Sequence, residues 1–372
     1  MIELALIQHS FKGDKQSTID FTLESIAKAA QKGANLVALQ ELHTSEYFCQ
    51  REDTRFLRYA DCFRREVEIF SKCAKQNKVV LVTSLFEKRA RGLYHNTAVV
   101  FEKDGSIAGT YRKSHIPDDP SFYEKFYFTQ GEGAFKPIST SLGKLGVLIC
   151  WDQWFPEAAR LMALGGADIL IYPTAIGWDL DDSKKERLNQ LNAWLGVQRG
   201  HAIANGIFVC AINRCGLEIE SEPENIEILS DLGESDSLNL NGESIDLTKS
   251  TAESRESSAL LSGDSTKSNA DSPESTPESN KSDLPKSTKI TKQKHHSNAI
   301  KSKTRKSQIK FWGHSFIYGP QGEEIAMASE STDAILRASI DLERISQVRN
   351  IWPFLRDRRI ECYHNLTKRF ID

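Results

Sequence analysis

Residues 146–177, GVLICWDQWFPEAARLMALGGADILIYPTAIG, constrain the fold more than any other stretch of the chain. An apolar run enters Cys150, Pro156 and Glu157 then carry the marks of a helix start, and a second apolar run, DILIYP, follows. Runs of this length, bounded by Gly146 and polar turns, suit strands buried on both faces, so helices must cover the sheet. The same alternation recurs. IELALIQ reads as a strand, residues 17–32 place Phe21, Ile26 and Ala29/Ala30 on one helical face before Gly33, and LVALQ at 36–40 is the next strand. A helix over about 61–77 buries Phe63, Val67, Phe70 and Ala74 and leads into VVLVTSLF. HNTAVVFEKDGSIAGTYRK reads as a hairpin turning at Asp104-Gly105. A helix from about 183 to 205, the strand IFVCAIN, and further β-structure in FWGHSFIYGPQGEEIAMAS and AILRASID complete the pattern. Layered α/β architecture is the expectation.

One segment breaks the pattern. From Leu217 to Lys310 there is no aromatic residue, and serine, acids, lysine and asparagine dominate. Such a composition cannot bury enough apolar surface to offset the entropy of ordering it, which predicts a disordered insertion over 218–307. The expected organisation is one domain built from 1–217 and 308–372, interrupted by that insert. The insert's charges are segregated, with ten acids and no base over 218–247 and ten bases against one acid over 281–310. Its two halves can attract each other, and the readings are a passive tolerated insertion or a docking segment.

The formal charge of −3 gives no electrostatic reason to expect nucleic acid or an anionic membrane as a partner. No stretch reaches the roughly 20 apolar residues of a membrane span. The start, MIELALIQHSF, lacks the basic region and cleavage site of a secretion signal. The seven cysteines (49, 62, 73, 150, 210, 215, 362) are odd in number and contain no CxxC pair, so a cytoplasmic protein with free thiols is expected. Cys210 and Cys215 lack a second close Cys/His pair of the kind a metal site uses.

Sites in open α/β sheets gather beyond the carboxyl ends of strands. Glu41 follows LVALQ, Lys113 follows SIAGTYR, and Cys150 follows GVLI. A carboxylate can take a thiol proton, the thiol can attack a carbonyl-type carbon, and an ammonium can hold the oxyanion that develops. The helix expected just after Cys150 would favour its thiolate. Each residue also has a plain alternative: Cys150 as a small core residue, Glu41 as a loop acid, Lys113 as a solvated base. His115 shares a loop with Lys113 and offers a rival Cys–His scheme, which would leave Glu41 and Lys113 unexplained.

The segments ALQELHTSEYFCQ, YRKSHIPDDPSFYEKFYFTQGEGAFK and GVLICWDQWFPEAARLMALGGADILIYPTAIG resemble the nitrilase superfamily of carbon-nitrogen hydrolases, and within it the branch acting on carbamoylated diamines. The resemblance covers nearly the whole chain outside the insert. It implies a four-layer αββα sandwich, frequent assembly into dimers or larger homo-oligomers, and a catalytic triad of Glu41, Lys113 and Cys150. A second glutamate used in that family matches Glu124, whose alternative is a structural salt bridge to Lys125 or Lys113. The implied chemistry passes through a cysteine thioester and needs no metal or organic cofactor. The implied substrate is a small ureido-amine, with an N-carbamoyl-β-alanine amidase or an ω-amidase as neighbouring readings and a non-catalytic binding protein on the same fold as a distant one.

A ureido acid calls for an arginine to clamp its carboxylate, whereas a carbamoyl diamine calls for an acid to hold its far ammonium. WDLDDSKKE supplies Asp179, Asp181 and Asp182 for the second task, although Asp182 or Ser183 also sits where a helix cap belongs. Trp151, Trp154 and Trp178 are candidates to line the channel around the aliphatic spacer, with core packing as their alternative.

Overall fold

The computed structural model describes residues 1–224 and 306–371. The first half runs β1 (Ile2–Gln8), α1 (Lys15–Gln31), β2 (Leu36–Leu39), α2 (Phe63–Asn77), β3 (Val80–Ala90), β4 (Leu93–Phe101) and β5 (Ile107–Arg112). It continues through α3 (Glu124–Tyr127), β6 (Ile138–Thr140), β7 (Gly143–Val147), α4 (Pro156–Leu164), β8 (Ile169–Pro173), β9 (Gly177–Asp179), α5 (Lys184–Asn205), β10 (Phe208–Ile212) and β11 (Cys215–Ile219). The remainder is β12 (Gln308–Trp312), β13 (Phe316–Tyr318), β14 (Glu324–Met327), β15 (Ala334–Ile340) and α6 (Glu343–Ile351).

Local chemistry accounts for the boundaries. Asp14 starts α1 by accepting the Ser17 N–H at 2.7 Å. Ser183 starts α5 by accepting the Glu186 N–H at 3.1 Å, so the serine is the cap and Asp182 is left for other contacts. The β4–β5 turn places Gly105 at φ +87°, where a Cβ would stand 2.7 Å from the Ser71 carbonyl oxygen. The predicted Asp104-Gly105 turn is therefore demanded by both backbone and packing.

Two six-stranded sheets form, in the orders β15-β1-β2-β3-β4-β5 and β14-β13-β10-β8-β7-β6. Parallel neighbours require crossovers, and these are the helices: α1 joins β1 to β2, α2 joins β2 to β3, α4 joins β7 to β8, and α5 joins β8 to β10. Strand residues alternate between faces. Leu4, Leu6, Leu36, Ala38, Val80 and Val82 of the first sheet share one buried cluster with Leu145, Val147, Ile169, Ile171 and Val209 of the second. The outer faces are covered by α1 and α2 on one side and α4 and α5 on the other. This is the expected αββα sandwich. Its exclusion of water from both faces of both sheets explains the near-continuous apolar strands.

A third sheet, ordered β11-β12-β9, lies beyond the sequence expectation. It is antiparallel throughout, and β9 and β12 approach so closely at Gly177 that a Cβ there would lie 2.5 Å from the Ile309 side chain. Most of the expected insertion, residues 225–305, falls outside the described residues. Its expected edges are corrected: residues 218–224 and 306–307 belong to the fold. Glu218 is buried against Arg214 at 2.7 Å, and Glu220 and Glu222 pair with Arg51 at 2.8 and 3.2 Å. Acids that composition alone treats as solvated have arginine partners, Glu218 four residues away and Glu220 and Glu222 far away in sequence. Among the described residues no helix is long and apolar enough to cross a membrane.

Candidate active site

Glu41, Lys113 and Cys150 each follow a strand, and the structure brings them together with Glu124 at the strand ends. Lys113, with no exposed surface, donates from Nζ to Glu41 Oε1 at 2.8 Å and to Glu124 Oε2 at 2.6 Å. Both carboxylates are equally buried. Asn96 on β4 donates to the same Glu41 Oε1 at 2.7 Å, and its own oxygen is held by Ser84 Oγ at 2.8 Å. Glu41 Oε2 is buried without a hydrogen-bond partner, so one oxygen is committed to orientation and the other has free lone pairs. Tyr47 donates its hydroxyl to Glu124 Oε1 at 2.7 Å. Glu124 thus does form the ion pair with Lys113 that was its alternative reading, inside the same cluster.

Cys150 sits at φ +42°, a left-handed conformation that non-glycine residues rarely adopt, between β7 and the short 3₁₀ turn Cys150–Trp154. Asp152 holds this bend. Its Oδ2 accepts the Ile149 N–H at 2.9 Å and the Tyr111 hydroxyl at 2.8 Å, while Oδ1 accepts the His115 N–H at 2.9 Å. α4 begins at Pro156, where the sequence places it, and a 3₁₀ turn begins at Cys150 itself, so what opposes the expected thiolate is burial and not the helix position. Burial, with the neighbouring Glu41 carboxylate, pushes the Cys150 thiol well above its ordinary value, and Lys113 opposes this. Cys150 therefore rests as a thiol. Burial also raises Glu124 to about 7 against the opposing pull of Lys113. For Lys113 burial acts downward, but Glu124 and Glu41 outweigh it and hold the ammonium well above its usual value.

His115, the rival base, has Nδ1 on Asp152 Oδ1 at 2.7 Å and its ring stacked on Phe155 with centroids 3.6 Å apart. It is built into the support of the bend.

A cavity of about 460 Å³ opens onto Cys150 and Glu124. Among the candidates, Trp151, Trp154, Asp179 and Asp182 line it. Trp178 and Asp181 do not. Adjacent β9 residues point to opposite faces, so with Gly177 and Asp179 on the cavity wall the Trp178 side chain turns into the core, its indole N–H donating to the Arg187 carbonyl at 3.0 Å. The Asp181 N–H donates to Asp179 Oδ1 at 2.8 Å in the turn that follows. Asp119, not singled out from the sequence, also lines the cavity, and its Oδ1 is buried without a hydrogen-bond partner. No lysine or arginine stands among the lining residues.

Arg214 is a second residue that sequence reasoning missed. It is 1% exposed and donates to the main-chain carbonyls of Glu41 at 3.3 Å, Leu42 at 2.5 Å and Ser45 at 2.8 Å. Leu42 has φ +47°, so this guanidinium pins a strained turn directly after Glu41. Among the described residues no cluster of three or more His, Cys, Asp or Glu side chains could hold a metal ion.

The carbon-nitrogen hydrolase family model matches residues 3–350. The chain is 33% identical over 366 residues to the N-carbamoylputrescine amidase of Solanum tuberosum, covering 98% of this chain and 94% of that protein. It is 30% identical over 371 residues to the citrullinase of Francisella tularensis, covering 99% of each. A crystal structure of a carbon-nitrogen hydrolase from Helicobacter pylori G27 superimposes with a TM-score of 0.75 at 44% identity, covering 100% of this chain and 99% of that one.

Proposed function

The chain belongs to the carbon-nitrogen hydrolases and is a cysteine-dependent amidase, and from that premise we propose that it hydrolyses N-carbamoylputrescine to putrescine, carbon dioxide and ammonia. The observation that carries the substrate choice is the cavity wall: Asp119, Asp179 and Asp182 line it and no cation does. A carboxylate-bearing ureido acid finds no charge partner there, whereas the far ammonium of a diamine finds three. Trp151, Trp154 and Trp312 supply apolar surface for the four-carbon spacer.

In this reading Cys150 attacks the ureido carbon as its proton passes to Glu41, whose free Oε2 is the accepting atom. Proton transfer accompanies attack, since the thiol does not ionise beforehand. Two of the three Lys113 hydrogens are committed to Glu41 and Glu124, and the third, with the Trp151 backbone N–H, holds the oxyanion. Glu124 keeps Lys113 charged and in place. Collapse of the tetrahedral adduct breaks the bond to the terminal nitrogen, which leaves as ammonia with the proton from Glu41. The carbamoyl thioester then takes up a water deprotonated by Glu41, Cys150 recovers its proton, and the released carbamate decomposes to the amine and carbon dioxide.

We further infer that the working form is a homo-oligomer. Ile351, Trp352, Phe354, Ile360 and Leu366 near the carboxyl end are all at least 48% exposed, a concentration of apolar surface that a second copy would cover, and light scattering should give a mass above that of one chain. The substrate test offers N-carbamoylputrescine, N-carbamoyl-β-alanine and citrulline side by side and measures ammonia release, with Cys150→Ala as blank. Selective release from the diamine derivative is expected. Preference for either ureido acid would overturn the reading of the acidic wall.

A further inference from the structure

Behind the Lys113 ion pairs runs a hydrogen-bond chain whose outer members, Arg214, Glu218 and Tyr47, no step of the proposed chemistry uses. Arg214 Nη1 donates to Glu218 Oε1 at 2.7 Å, and the other Glu218 oxygen accepts the Tyr47 N–H at 2.7 Å. The Tyr47 hydroxyl donates to Glu124 Oε1 at 2.7 Å, while Glu124 Oε2 accepts from Lys113 at 2.6 Å. Lys113 in turn meets Glu41 at 2.8 Å. Every side chain in this chain is 7% exposed or less. Its far end is anchored in β11, whose pairing with β12 runs from Cys215–Trp312 to Ile219–Gln308.

We propose that Tyr47, fixed by Glu218 and Arg214, is a positioning residue that sets the geometry and charge of Glu124 and so of the Lys113 ammonium. Each Glu124 oxygen takes a donor that the fold provides. Tyr47 supplies the donor on one oxygen and Lys113 the donor on the other. A carboxylate accepts both as charge-assisted hydrogen bonds, whereas a neutral carboxyl offers only weaker neutral ones and makes the Tyr47 hydroxyl reverse if its proton faces that oxygen. Tyr47 therefore favours ionised Glu124, and ionised Glu124 holds Lys113 charged and aimed. Tyr47 is placed for this from both ends: its ring packs edge-on against Phe311 of β12, with centroids 5.8 Å apart, and its N–H is taken by Glu218. Truncating Glu218 removes the second anchor without touching the reacting groups.

The titratable groups facing Glu124 are Lys113 after β5, Glu41 after β2, Tyr47 and Cys49 in the segment between β2 and α2, and Cys150 after β7. Of these, Lys113 and Tyr47 favour the carboxylate, and Glu41 opposes it. Deleting the Tyr47 hydroxyl removes one favourable partner and leaves the rest, so protonation of Glu124 must move to higher pH.

The test uses Tyr47→Phe and Glu218→Gln in the full chain. The inference rests on the amidase reading, so two readouts are taken: turnover of N-carbamoylputrescine, and the pH dependence of Cys150 alkylation by iodoacetamide, which needs no natural substrate. For Tyr47→Phe the expected result is a kcat lower by roughly ten-fold, KM within about two-fold, and an acid limb of the kcat profile displaced upward by about one unit. The inflection in the alkylation rate moves the same way. Glu218→Gln keeps an oxygen for the Tyr47 N–H but weakens the Arg214 clamp, and shows a smaller displacement of the same sign. A folded Tyr47→Phe protein with wild-type kcat and an unmoved alkylation profile overturns the inference, as does a loss confined to melting temperature. Absence of turnover in the wild type with a displaced alkylation profile in the variant overturns the substrate reading and sustains the positioning role.

Discussion

Replacing Lys113 with methionine removes the one cation between two carboxylates that have no exposed surface. Methionine approximates the volume of the lysine stem, so the packing loss is small and the electrostatic loss dominates. Breaking a buried ion pair by deleting one partner costs about 3–5 kcal/mol, because it strands buried charge. Here two carboxylates are stranded, with Asn96 and Tyr47 as their remaining donors. The cluster escapes by taking up a proton. Glu124 already stands at about 7 in the wild type, with burial acting upward and Lys113 acting downward, so losing Lys113 raises it further. A carboxyl held above its unfolded value contributes stability at pH below that unfolded value, and this is lost as pH rises through the folded one. The deficit of Lys113→Met relative to wild type should therefore be small near about pH 5 and reach about 3–5 kcal/mol at about pH 8. At about 2.1 cal/mol/K of unfolding entropy per ordered residue, that corresponds to a fall in melting temperature of roughly 5–8 °C at the alkaline end. Thermal and urea melts followed by tryptophan fluorescence across that range measure it. A deficit of equal size at every pH would refute the reasoning, since it would mean that shape rather than charge had been lost.

Two further outcomes follow from the same geometry. Asp119→Asn should raise KM for N-carbamoylputrescine roughly ten-fold with little change in kcat, because the ammonium it is proposed to hold lies away from the reacting carbon; initial-rate kinetics check this, and a loss confined to kcat would place Asp119 elsewhere. His115→Ala should cost less than about ten-fold in turnover, against the roughly 10²–10⁴-fold that a general base is worth. Abolished turnover in that variant alongside an active Lys113→Ala would restore the Cys–His scheme.

The layers of this fold are legible because each one rests on a local pattern. Buried strands such as DILIYP are continuous apolar runs, and α2 repeats Phe63, Val67, Phe70 and Ala74 at helical spacing, all of them buried. Glu41, Lys113 and Cys150 are visible as polar interruptions at strand ends. What surrounds them is not visible in the same way. Asn96, Tyr47, Arg214 and Asp119 acquire their roles only through partners such as Glu41, 55 residues from Asn96, or Glu124, 77 residues from Tyr47. Trp178 and Asp179 illustrate a different limit: both carry plausible chemistry, and only the pleat of β9 decides that the aspartate faces the cavity and the tryptophan the core. Composition puts the edge at 218 because it treats every acid as solvated, while the fold pairs Glu218 with Arg214 and Glu220 with Arg51.

The claim at the centre of the account is that Cys150 attacks the ureido carbon and carries the acyl group. Rapid acid quench of the enzyme during turnover of N-carbamoylputrescine, followed by intact-mass and peptide analysis, tests it directly. The expected result is a single added aminobutylcarbamoyl group, located on the peptide containing Cys150, removed by hydroxylamine and absent from Cys150→Ala. Turnover that proceeds with Cys150 unmodified, or an acyl group carried on any other residue, would contradict it.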